Sequence, residues 1–121
     1  MSQLRRAFFS VAIALALASA GCRSRRVDVS VENRTGQAVR LLEVSYPSAS
    51  FGVDSLAEGA VVHNSIQLRG EGPIRVTFTN QKGPSAPIAG PTLIENQHGS
   101  LQIVLLADEK ATFLPNLAPL P

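Results

Sequence analysis

Twice in this chain the apolar residues fall on every second position. Val27, Val29 and Val31 alternate with Asp28, Ser30 and Glu32, and Ile74, Val76 and Phe78 alternate with Arg75, Thr77 and Thr79. A period of two puts each set on one face of an extended strand, dry on one side and wet on the other. No stretch after Gly21 carries a helical period, and turn-forming residues interrupt the chain at short intervals. The pattern predicts seven or eight short strands in an all-β, antiparallel β-sandwich.

The remaining strands are read from the same signals. Residues 38–46 place Leu42, Val44 and Tyr46 on one face, and Leu41 breaks the alternation, which a bulge near Leu41 and Leu42 or a strand covered on both sides would explain. Pro47 and Ser48 end that strand, and 49–53 follow as an edge segment with Phe51 turned inward. Residues 60–68 make the next strand, the Arg69-Gly70-Glu71-Gly72-Pro73 run makes a turn, and Ile74 to Thr79 takes a central place in its sheet. Residues 80–91, rich in Pro and Gly, read as a long irregular connection, with a short strand at 92–95 and a turn at 96–99. Residues 100–107 are nearly all apolar, Asp108-Glu109 turns the chain, and 110–114 pair back with Phe113 closing the core. Pro115, Pro119 and Pro121 make 115–121 a tail outside the ladder.

The chain opens differently. Arg5 and Arg6 precede an uncharged run at 7–20, shorter than the roughly 20 residues a spanning helix needs. Small residues then lead into the sole cysteine, in the order Ser19-Ala20-Gly21-Cys22. This is the layout of an export signal helix with a processing site.

Ser-Ala-Gly-Cys resembles the lipobox of bacterial lipoproteins, with Ser19 where Leu is commonest. The resemblance implies a diacylglycerol on the Cys22 thiol, a cut between Gly21 and Cys22, and an acylated new amino group. It also accounts for an exported chain with one cysteine, which has no partner for an internal disulfide. Two or three acyl chains, at about 0.8 kcal/mol per buried methylene, make such a tether durable. Arg23 stands where an Asp resembles an inner-membrane retention signal, so the expectation is the outer membrane, facing the periplasm.

A second resemblance covers part of the remainder. Ser55-Leu56-Ala57-Glu58-Gly59 is similar to the Leu-x-x-Gly turn of exported bacterial immunoglobulin-like modules, in which Leu plugs the core and Gly takes a φ that side chains disfavour. Residues 31–44, with Asn33 opening a loop between two alternating strands, are similar to the same modules. The resemblance implies an immunoglobulin- or fibronectin-like sandwich and no particular activity. The absence of Trp and of a core disulfide excludes the antibody-like variant. The organisation expected is therefore a signal peptide at 1–21, a lipidated basic tether at 22–26, a sandwich at 27–114 and a tail at 115–121.

Removing residues 1–21 takes away Arg5 and Arg6, so the eleven Lys and Arg become nine against nine Asp and Glu. A balanced, scattered charge with few aromatics disfavours nucleic acid as a partner. His63 and His98 lie far apart in sequence without a neighbouring ligand at metal spacing, and no Gly-x-Ser-x-Gly elbow occurs. Asp54 and Glu58 fall in one loop, where Asp54 bonding to nearby backbone amides and a solvated Glu58 explain them better than acid/base chemistry does. No cofactor, metal or catalytic set is expected. Tyr46, Pro47 and Phe51, with the connection from Lys82 to Pro91, are the candidate partner-binding residues, against a plain core role for the two aromatics. Strand addition at 49–53 is a further route to a partner. The leading expectation is a membrane-tethered, non-enzymatic module that binds an envelope protein or polymer. A structural accessory subunit, and then a small hydrolase or metal carrier, come after it.

Overall fold

The computed structural model describes residues 26–120, among which there is no helix. Residues 1–21, the processing site at Gly21 and Cys22, and Pro121 lie outside the described residues. The strands are β1 (Arg26–Arg34), β2 (Val39–Tyr46), β3 (Ala49–Leu56), β4 (Val61–Gln67), β5 (Gly72–Asn80), β6 (Gly83–Pro84), β7 (Ile88–Leu93), β8 (Gln97–Leu106) and β9 (Lys110–Pro119). One sheet has the order β4-β1-β8-β9, and the other has β3-β2-β5 with both β6 and β7 paired to β5. Every pair is antiparallel except β1 with β8, which run parallel from Val27↔Gly99 to Arg34↔Leu106.

The alternating positions build the core. Val27, Val29 and Val31 of β1 join Leu101, Ile103 and Leu105 of β8, and across from them lie Leu42, Val44, Ile74, Val76 and Phe78, all in one buried cluster. Each such side chain contributes about 1.5–3 kcal/mol by leaving water. β5 is central, as its alternation predicts, flanked by β2 on one side and β6 and β7 on the other. Along one side, Phe113 of β9 lies against Gly90 of β7, closing the two sheets together.

Of the two explanations for Leu41, the bulge is the one present. Pairing of β2 with β5 shifts between Arg40 and Glu43, and Leu41 sits at φ 49 with 61% of its surface exposed. A left-handed backbone costs a leucine about 1–2 kcal/mol. The turn at Asp108-Glu109 is also present, as a three-residue connection that includes Ala107, with Asp108 and Glu109 left-handed at φ 64 and 57.

Several expectations are corrected. Among the described residues there are nine strands rather than seven or eight, and one pair is parallel. The stretch 80–91 holds β6 and the start of β7. Arg75 pairs with Ala89 and Pro73 with Thr92, so Gly90 and Pro91 together face Ile74 in a bulge, where a missing amide costs the ladder nothing. The turn placed at 96–99 is at 95–96, and Gln97, His98 and Gly99 already belong to β8. The tail expected from residue 115 is strand as far as Pro119, paired from Pro115↔Leu101 to Pro119↔Gln97. Spaced by four, the two prolines share a parity, and amides of one parity in an antiparallel strand face the same way. β9 has no neighbour on its outer side, so both ring nitrogens are accommodated there. Asp54 is in β3 rather than in a loop with Glu58.

Candidate functional site

The strand directions sort the loops into two poles. β1 runs from Arg26 at the first pole to Arg34 at the second, and β5 and β8 end at that same second pole. There the β1–β2 connection, the turn after β5 and the β8–β9 hairpin surround a cleft of about 490 Å³. Thr35 and Gln37 come from the first of these, Asn80, Gln81 and Lys82 from the second, and Ala107, Asp108 and Glu109 from the third, with Phe78 and Leu106 beneath. Of the residues singled out in sequence, Lys82 lines this cleft.

Hydrogen bonds hold the walls in place. Asn33 is fully buried, and its Nδ2 donates to the carbonyls of Gln37 (2.7 Å) and Leu56 (2.9 Å). Its Oδ1 accepts from the amide of Thr35 (3.0 Å) and from Thr35 Oγ1 (2.7 Å). Its own backbone bonds the β3–β4 turn, donating to Ala60 O and accepting from Gly59 N. That turn has the form expected of its sequence, with Leu56 buried and Gly59 at φ 79. Glu58, expected to be solvated, instead accepts from the amide of Gly36 at 2.7 Å. On the other wall, Ser85 Oγ accepts from Phe78 N (3.0 Å) and Ser85 N donates to Phe78 O (2.7 Å), which fixes the floor.

The cleft is chemically uncommitted. The side chains of Gln37, Gln81, Lys82, Asp108 and Glu109 make no hydrogen bond or ion pair among the described residues. Two amides, two carboxylates and one ammonium offer donors and acceptors to a polar ligand without first breaking an internal bond. Asn33 and Ser85 are contributions that sequence reasoning missed. In the sequence Asn33 reads as the opening of a loop, and a buried serine leaves no mark in an apolar pattern.

The two aromatic candidates lie elsewhere. Tyr46 is 5% exposed and belongs to the core, at the opposite pole. Its hydroxyl donates to the carbonyl of Gly70, with that of Leu93 3.3 Å away. Phe51, on β3, is half-buried and packs against the core. Burial, and then the negative charges of Glu95 and Glu71, raise the Tyr46 phenol above its ordinary 10.0. A phenol that holds its proton more tightly when folded stabilises the protein fully below pH 10, and this contribution is lost as pH climbs through the raised value. Tyr46→Phe is therefore expected to cost about 1–2 kcal/mol at neutral pH and to abolish the loss of stability above pH 10. Urea melts of both proteins from pH 7 to 11 check this.

His63 and His98 are not brought together. His63 pairs with Ser30, and Ser30 in turn with Gln102, four positions along β8 from His98. Two strand spacings and four residue rises separate them by roughly 16 Å. Among the described residues no group of three or more His, Cys, Asp and Glu is placed to hold a metal ion.

No family model matches the chain, and no match is found among curated proteins. Among solved structures, the NMR structure of a protein from Eubacterium rectale is similar, with a TM-score of 0.51 at 17% identity. The match covers 74% of this chain and 87% of that one. At that identity the likeness concerns the all-β fold alone.

Proposed function

We propose that this chain is a lipid-tethered, non-enzymatic module of the cell envelope that binds another protein or an envelope polymer through the pole holding the polar cleft. Its lipid is carried on Cys22 after cleavage from Gly21, and its fold is an immunoglobulin- or fibronectin-like sandwich. The membrane is the outer one, with the domain in the periplasm. The observation that carries this reading is the direction of β1. Arg26 begins the strand four residues after Cys22, a reach of at most about 14 Å. Arg34 ends it beside Thr35 at the cleft, eight residues and roughly 27 Å further on. A tether at Cys22 thus holds the first pole near the lipid and presents the cleft away from it.

The test is Cys22→Ser in the full-length chain. The variant is expected to leave the membrane fraction while melting at the temperature of the native protein, because residue 22 precedes the first strand. Retention in the membrane after carbonate washing overturns the tether. Intact-mass analysis of the native protein, read for acyl groups on a chain starting at Cys22, gives a second readout.

A further inference from the structure

β3 is an outer strand that lacks the protection given to the others. β9 carries Pro115 and Pro119, β7 carries Pro91 beside its bulge, and on β4 the Asn64 side chain accepts from the outward amide of Ser65 at 2.8 Å. Such devices keep an edge from taking another strand. Ala49–Leu56 contains neither Pro nor Lys. The two-residue turn at Pro47-Ser48 makes Tyr46↔Ala49 a hydrogen-bonded pair, so the amides of Ala49, Phe51 and Val53 face β2. Those of Ser50, Gly52 and Asp54 therefore face outward, and no side chain among the described residues caps them.

Beside this edge lies a groove of about 420 Å³ lined by Leu41, Glu43, Ser50, Gly52 and Asp54 among others. Gly52 bears no side chain on this face, and the carbonyl of Leu42 lies 3.0 Å from where a Cβ would be. The exposed Leu41 forms an apolar wall. Glu43 and Asp54 make no hydrogen bond or ion pair among the described residues, and no cation lines the groove.

We propose that β3 takes an extended segment of another protein as an added strand. That segment sets a large apolar side chain over Gly52 against Leu41, with basic side chains two positions away reaching Glu43 and Asp54. A second copy of this chain fits less well, since it brings the same two carboxylates to the joint and no cation. The proposal uses neither the lipid on Cys22 nor the polar cleft, so it stands or falls apart from the tethered-module reading.

The test uses the native protein in neutral-detergent micelles and two peptides built around Lys-Val-Phe-Val-Lys and Glu-Val-Phe-Val-Glu. The basic peptide is expected to bind saturably, at least tenfold tighter than the acidic one, with affinity falling as salt rises. Ser50→Pro removes an outward amide and spares the β2 ladder, so it is expected to weaken binding at least tenfold. Glu43→Gln with Asp54→Asn leaves the backbone untouched and is expected to erase the preference for the basic peptide. Failure of the basic peptide to saturate, binding indifferent to both sets of substitutions, or sedimentation as a dimer that Ser50→Pro dissociates would each overturn the proposal.

Discussion

Asn33→Ala is expected to destabilise the domain by about 3 kcal/mol, enough to lower the melting temperature by roughly 15 °C. The side chain is fully buried and makes four hydrogen bonds, two given and two received. Removing it leaves the Leu56 carbonyl buried without that donor and frees Thr35 and Gln37, which line the cleft. An unsatisfied buried group costs more than the net worth of the bond it has lost. Asn33→Asp separates donor from acceptor roles, because a carboxylate keeps the bonds from Thr35 but has nothing to give two carbonyls. It is expected to lose nearly as much as Ala at neutral pH. Chemical denaturation of the three proteins decides the matter, and a loss under 1 kcal/mol for Ala would show that the loop does not depend on this residue.

The second large effect is at Gly99, where Ala or Val is expected to cost more than about 3 kcal/mol. The residue stands at φ 135 in β8, and a Cβ there would lie 2.2 Å from the backbone oxygen of Asn116 on β9. A backbone oxygen in a paired strand has little room to retreat, so the end of β9 must peel away or the sheet must shift. Hydrogen exchange localises the damage, with early loss of protection expected from Asn116 to Leu120. Gly70→Ala serves as the comparison, since its added Cβ meets nothing within 4 Å and bears the cost of the backbone angle alone.

What could be read from the sequence was the inside and outside of single strands. Val27, Val29, Val31, Ile74, Val76 and Phe78 are buried as their spacing requires, and Leu41 marks the bulge because it breaks that spacing. Alternation says nothing about which strand lies beside which, so the parallel pairing of β1 with β8 had no signature. Prolines misled at 91, 115 and 119 because their cost depends on whether the nitrogen faces a neighbour, which is a property of the sheet. The cleft was legible at Lys82 alone. Its other polar residues come from three loops far apart in the chain, and their convergence follows from strand direction. Tyr46 is a binding candidate in the sequence as an aromatic beside a loop, and its role is to tie the β4–β5 connection to the end of β7 at the far pole.

The parallel pair also sets a timetable. A chain that emerges amino terminus first produces β1 long before β8, its central neighbour, exists, and Val27 must wait for Gly99. Until then β4 is its sole partner in that sheet, and three valines stay open to any passing strand. Contacts so distant along the chain slow folding, because closing the intervening loop costs entropy before it yields contacts. Release from a ribosome should thus be followed by a measurable lag, during which a holding chaperone has its best opportunity to bind.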